Sequence, residues 1–221
     1  MPRYEVVSFD CYGTLIDWEK GMREALAALL NKKGLPLSIE ALHNAYGEAE
    51  LETEQGAYRS YKEVLETGVR EAFRREGIEL TDDEGRIFVD TIPSWPKFPE
   101  TTEVLAQLKA KGYKLVILSN VDDDLIQGSV LTIGIDFDGV ITAEQVRSYK
   151  PSPGHWDRML KQFSVSKERV LHVGASYTHD ITPGKELGFT VAWINRTGEA
   201  SGGDARSDHQ FPDLRGLLDI L

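Results

Sequence analysis

The chain has 221 residues, 25 of them lysine or arginine against 36 aspartate or glutamate, for a formal net charge of −11, and a single cysteine, Cys11. The acid surplus argues against nucleic acid as a partner, and one cysteine excludes an internal disulfide and a cysteine-rich metal site. The longest uncharged stretch, Leu125 to Ile135, spans eleven residues where a membrane helix needs about 20, and the start, MPRYEVVSFD, has no apolar secretory region, so a soluble, cytoplasmic protein is expected.

The first apolar run is Tyr4 to Phe9. It is short, rich in β-branched and aromatic residues and nearly continuous, as a strand buried on both faces of a parallel sheet reads. From about Asp17 to Ser94 the pattern is helical, with stretches near 18–31, 38–55, 60–77 and 81–91; Thr81 followed by Glu84 is a capping box opening the last of them. The Pro-rich segment 92–99, IPSWPKFP, suits a linker. Beyond it, Thr101 to Lys111 places Val104, Leu105 and Leu108 on one helical face and stops at Gly112. Strands then alternate with helices: Tyr113 to Leu118, helix Asp122 to Thr132, a weaker strand Asp138 to Thr142, and helix Pro153 to Phe163. Strand Arg169 to Val173, helix Asp180 to Leu187, strand Thr190 to Ile194 and a short tail helix, Asp213 to Leu221, complete the series. This order predicts an α/β fold, a Rossmann-like doubly wound parallel sheet core (1–16 and 95–221) with an inserted all-helical cap (17–94).

Open parallel sheets bind ligands outside the carboxyl ends of their strands. Those ends carry Asp10-Cys11-Tyr12-Gly13-Thr14, Ser119-Asn120, Lys150-Pro151 and Gly174 to Asp180. Two carboxylates, one ammonium and several hydroxyls would converge there. Lys150 beside Asp10 would keep that carboxylate ionised, and an ionised, positioned carboxylate can form a covalent ester. Asp180 could orient Lys150 or take a proton from the hydrolytic water. Cys11 is expected to offer its backbone N–H rather than its thiol. Tyr12 and Trp156 line an apolar pocket or are core aromatics. Trp18 falls at the cap–core hinge, His172 in the core, and His179 near the site in a solvent-facing or supporting place. Asp122, Asp123 and Asp124 are expected to favour the start of the next helix rather than to bind a metal.

In order along the chain, FDCYGTL (Phe9 to Leu15), LSN (Leu118 to Asn120), YKP (Tyr149 to Pro151) and GASYTHD resemble the four motifs of the haloacid dehalogenase-like hydrolase superfamily. WINRTG, Trp193 to Gly198, resembles its 2-haloacid dehalogenase branch. Superfamily phosphatases carry a second aspartate two residues after the nucleophile and an acid in the fourth motif that ligates magnesium; here those positions are Tyr12 and Ala175. Displacement of halide needs neither a proton donor to an alkoxide nor a metal.

The resemblance therefore implies attack of Asp10 on the halogen-bearing carbon of a small 2-haloacid and hydrolysis of the ester to a 2-hydroxy acid, with no cofactor and no metal. Thr14, Ser119, Lys150 and Asp180 match site positions of the family. Cys11 and Asn120 would offer donors to the substrate, Ser176 is the nearest hydroxyl in the fourth motif, and Trp156 stands where the branch has a phenol. The arginine with which the branch holds halide is absent from Leu42 to Tyr46, leaving Arg59 as a candidate replacement. The expected partner is a small anionic substrate, and a homodimer is compatible with the reading. Three alternatives stay open: a magnesium-dependent phosphatase, a ring-opening hydrolase of a small imino acid, and a non-catalytic binding homologue.

Overall fold

Six parallel strands form one sheet in the order β3-β2-β1-β4-β5-β6: β1 (Val6–Phe9), β2 (Lys114–Ser119), β3 (Gly139–Thr142), β4 (Val170–Gly174), β5 (Thr190–Ile194) and β6 (His209–Phe211). The computed structural model describes residues 3–54, 57–200 and 206–221. Chain direction across the sheet reverses at β1, which pairs with β2 on one side and β4 on the other. That is the kind of switch point at which parallel sheets open a crevice. Register aligns the strand ends: Phe9 lies opposite Ile117 on one side and Val173 on the other. Asp10, Ser119 and Gly174 therefore emerge at one edge.

Successive side chains point to opposite faces, and both faces are covered, which is why the strands read as unbroken apolar runs. Val7, Phe9, Leu115 and Ile117 belong to one buried cluster; Val6, Val116, Leu118 and Val170 belong to the other. The first cluster includes Val104, Leu105 and Leu108 of α6 (Thr101–Ala110) and Leu125, Ile126 and Ile133 of α7 (Asp123–Ile133). The second takes Trp156 and Met159 from α9 (Gly154–Phe163). Between β3 and α9 lies the short α8 (Ala143–Val146).

Between β1 and α6 the chain is helical, with α1 (Trp18–Lys33), α2 (Ile39–Glu54), α3 (Tyr61–Arg75), α4 (Asp82–Gly85), α5 (Ile87–Thr91) and a 3₁₀ turn at Ile92–Ser94. Asp17 caps α1 by accepting from Lys20 N, Ser60 and Glu63 form a capping box on α3, and Thr81 and Glu84 form one on α4. Outgoing and returning chains run side by side, with Asp17 N donating to Pro96 O (2.8 Å) and Phe98 N to Leu15 O (3.1 Å). Among the described residues no helix is long and apolar enough to cross a membrane.

Three elements differ from expectation. The single helix expected over 81–91 is broken at Arg86, where the backbone leaves helical geometry (φ −89°, ψ 3°). Arg70 ties down the start of α4, donating to Leu80 O and to the Asp82 carboxylate. The helix expected from Asp180 begins instead as a single π-turn, Tyr177–Ile181, before α10 (Thr182–Glu186). Strand β6 is unforeseen, because its three residues, His-Gln-Phe, carry no apolar run. The tail is a 3₁₀ helix over Leu214–Asp219 capped by Asp213.

Candidate active site

Lys150 is the hub of the crevice. Its Nζ lies 2.9 Å from Asp10 Oδ1 and 2.6 Å from Asp180 Oδ1, with the lysine side chain only 1% exposed. Asn120 sets its backbone, accepting from Lys150 N (2.7 Å) and donating to Lys150 O (3.1 Å). An ammonium buried this deeply persists only because two carboxylates face it. Burial alone would lower its pKa, and Asp10 and Asp180 outweigh that and raise it.

Asp10 follows β1 directly and is held on its other oxygen by Thr14 Oγ1 (2.9 Å), which in turn accepts from Ala175 N (2.9 Å). The loop between them turns at Gly13, whose φ of +92° suits glycine. It is clamped from outside by Arg196, which donates to Thr14 O (2.7 Å) and pairs with Glu100 (2.8 Å). Arg196 was legible as part of the WINRTG motif but not as the clamp on this loop.

Burial and Lys150 compete at Asp10. Burial raises its carboxyl above the ordinary 3.8, Lys150 pulls it down, and Asp180 pushes it up again. Lys150 thus favours the ionised form of Asp10, in the sense expected, while desolvation works against it. Asp180 is the more acidic partner. Burial opposes its ionisation, yet Lys150 and the His172 hydrogen bond together hold it below the usual carboxylate range. His172 Nε2 lies 3.3 Å from Asp180 Oδ1, and its Nδ1 pairs with Ser8 Oγ at 2.9 Å. It is a core histidine, as expected, and it also orients a site carboxylate. The π-turn brings Asp180 against Gly174, where even a Cβ would stand 2.4 Å from Asp180 Cβ.

A cavity of about 390 Å³ opens over this group. Asp10, Ser119, Asn120, Lys150 and Asp180 form its floor. Tyr12, Trp18, Met22, Leu51 and Trp95 give it apolar walls, and Glu50, Glu54 and His179 face in as well. Ser119 Oγ and Asp180 Oδ2 are buried without a hydrogen-bond partner among the described residues. The Ser119 carbonyl is within 3.1 Å of His155 Nε2, and burial with Lys150 nearby lowers that imidazole to about 3, so it is neutral. Ser176 also lines the cavity, with its Oγ accepting from His179 N (3.2 Å) at the start of the π-turn.

Several expected residues sit elsewhere. Trp156 is fully buried on α9, edge-on to His172 at 5.3 Å, and does not line the cavity, because α9 packs its aromatic face onto the sheet. Arg59 is exposed and is not among the residues lining the cavity; its backbone carbonyl accepts from Tyr149 Oη. Cys11 has its thiol fully buried and outside the cavity lining; burial and Asp10 raise it well above the ordinary thiol value. Tyr12 gives its ring to the wall, but its hydroxyl is engaged with Ser129 Oγ (2.9 Å). Glu50, Glu54 and Trp95 were not foreseen, since their helix faces carried no local chemical signature.

The donors do not suit a magnesium ion, which wants several oxygens in octahedral array. The Lys150 ammonium already occupies the space between the two carboxylates, and Tyr12 and Ala175 supply no third. Among the described residues no group of three His, Cys, Asp or Glu is arranged to hold a metal.

A Rossmann-like sheet with an aspartate after its first strand and a buried lysine between two carboxylates defines a class of hydrolases. A family model for haloacid dehalogenase-like hydrolases matches residues 4–188, and the chain belongs to that family. It is 30% identical over 205 residues to haloacetate dehalogenase H-2 of Moraxella sp. (strain B), covering 90% of this chain and 89% of that one. It is 27% identical over 229 residues to an (S)-2-haloacid dehalogenase of Pseudomonas sp. (strain YL), covering 97% and 93%. The crystal structure of the L-2-haloacid dehalogenase RSc1362 superposes with a TM-score of 0.87 at 26% identity, covering 98% of this chain and 97% of that one.

Proposed function

We propose that this hydrolase converts a small 2-haloacid to a 2-hydroxy acid through a covalent ester on Asp10, without metal or cofactor. The observation that carries the reading is the Lys150 ammonium fixed between Asp10 and Asp180 beneath an apolar, aromatic-walled cavity. Asp10, held by Thr14 and Lys150, attacks the carbon and expels halide. Asp180, whose second oxygen has no protein partner, holds the water that cleaves the ester. The substrate carboxylate faces Ser119 and Lys150, and Tyr12, Trp18 and Trp95 enclose the carbon chain. Residues 1–16 and 95–221 act as the core, and 17–94 as the cap that closes over the substrate. A small anion as the partner and a cytoplasmic location complete the proposal.

Halide release from chloroacetate and from each enantiomer of 2-chloropropionate tests it. Release is expected to be unaffected by a chelator and abolished by Asp10→Asn. Because the nucleophile must be ionised, turnover should fall as pH drops through an Asp10 value raised above 3.8. No release by the wild-type protein, or turnover of a phosphomonoester that a chelator stops, would overturn the reading.

A further inference from the structure

The cap side of the cavity holds two carboxyl groups that the displacement described above does not use. Glu50 and Glu54 stand one turn apart on α2 and both line the cavity. Tyr46 and Tyr61 donate their hydroxyls to the same oxygen of Glu50, at 2.9 and 2.7 Å, an arrangement suited to an ionised carboxylate. Glu54 has no such donor among the described residues. Its side chain is 10% exposed, and His179 Nε2 lies 3.9 Å from its Oε2. Facing it are Glu50 on its own helix, Tyr61 at the start of α3, Arg147, Tyr149 and Lys150 from the segment after β3, and His179 from the π-turn. Two buried carboxyls this close cannot both ionise cheaply, and the one without donors keeps the proton. Burial, reinforced by Glu50 and only partly opposed by Lys150, raises Glu54 to about 8.

Displacement at carbon is in line, so the bond to the departing atom points away from Asp10, out of the core and toward the cap. The described cap residues that line the cavity include no lysine or arginine to receive an anion there. We propose that the neutral carboxyl of Glu54 donates the hydrogen bond that receives the departing halide. The inference rests on Asp10 being the nucleophile. As the Asp10 oxygen forms its bond to carbon, the carbon–halogen bond breaks and the halide leaves with the electron pair. It accepts the Glu54 O–H as its charge develops, and the proton stays on Glu54. Because the contact strengthens as charge builds, it stabilises the transition state more than the substrate. The gain is larger for a more basic halide, so fluoride depends on Glu54 more than chloride does, and chloride more than bromide.

Two variants, Glu54→Ala and Glu54→Gln, and two readouts test this. The first readout is kcat/KM for fluoro-, chloro- and bromoacetate between pH 6 and 9.5. Glu54→Ala is expected to lose about 100-fold on the most basic leaving group, the scale of one missing donor to a developing anion, and progressively less on the others. The wild-type rate should decline above pH 8, whereas Glu54→Gln, which keeps a donor but cannot ionise, should lose that decline and recover much of the Glu54→Ala deficit.

The second readout is saturable quenching of Trp18 and Trp95 fluorescence by bromide, which needs no turnover. Bromide should bind the wild type more tightly at pH 6.5 than at pH 9.5, and Glu54→Ala weakly at both. Equal losses on all three substrates, a decline that persists in Glu54→Gln, or bromide binding indifferent to pH would overturn the proposal. A pH-dependent bromide site lost in Glu54→Ala, in a protein that releases no halide, would support Glu54 as the anion donor and overturn the reaction assigned to Asp10.

Discussion

Lys150 shows how little a single residue type says until its neighbours are known. As a lone lysine it reads as a surface side chain. Between two carboxylates at 2.9 and 2.6 Å it becomes the charge that lets both be buried. Asp10, Thr14, Ser119 and Asp180 were legible because each ends a strand or its motif, and strand ends share one edge of a parallel sheet. Trp156 was misplaced because its distance in sequence from Lys150 does not say which side of α9 it occupies. Gly174 matters through what it leaves out. Gly174→Ala would press a methyl group onto Asp180, whose Cβ and Cγ lie 2.4 and 2.6 Å from that position. The expected result is a fall in kcat of about 100-fold from the displaced carboxylate, in a protein whose circular dichroism stays native. An unchanged kcat would mean that Asp180 does not act where the structure places it.

Helices and strands were readable where periodicity was long, as in α1, α3 and α6, and unreadable where tertiary contacts cut them. The helix expected over 81–91 breaks at Arg86, whose guanidinium pairs with Glu66 on α3 (2.8 Å), a contact that no local pattern records. The acidic triplet after β2 stands at the start of α7 as expected, Asp122 at the N-cap position and Asp123 and Asp124 in the first turn, but its side chains also reach further. The two oxygens of Asp122 accept from Tyr61 N and Lys62 N, both at 2.9 Å, at the start of α3. A core carboxylate thus caps a helix of the inserted segment, where the helix dipole favours negative charge. Asp123 turns instead to Thr142 and Gln145, and Asp124 to Lys62. Asp122→Ala should cost about 1 kcal/mol of stability, a drop in Tm of about 2–4 °C. It should also raise KM for substrate, because α3 is held over the cavity by that contact. Differential scanning calorimetry and steady-state kinetics check the two effects separately.

At the scale of the molecule, the site carboxyls set opposing dependences of stability on pH. Asp180 lies below its ordinary 3.8, so its contribution is present above that value and lost only as pH falls through the lower folded value. Glu54 lies above its ordinary 4.5, at about 8. Between those two values the native protein holds a proton that the unfolded chain has released, so stability falls as pH rises and levels off above 8. Buried Glu50, raised by its burial, adds in the same sense. Tm measured from pH 5 to 9 should therefore decline for the wild type and decline less steeply for Glu54→Gln. Identical slopes would show that Glu54 ionises as it does in water.

Taken alone, the sequence was enough to determine the sheet core, the helical insertion after the first strand, and the order of residues at the strand ends. Those follow from local periodicity and from a topology with few alternatives. The tertiary structure alone decided which side chains face the cavity from the inserted helices. There, an arginine sought on α2 or at residue 59 gave way to Glu50 and Glu54. A helix pattern states which residues are apolar, whereas the electrostatics of a cavity depend on charges brought together from distant parts of the chain. The two acids missing at Tyr12 and Ala175 could be read in one dimension; the two present on the cap could be read only in three.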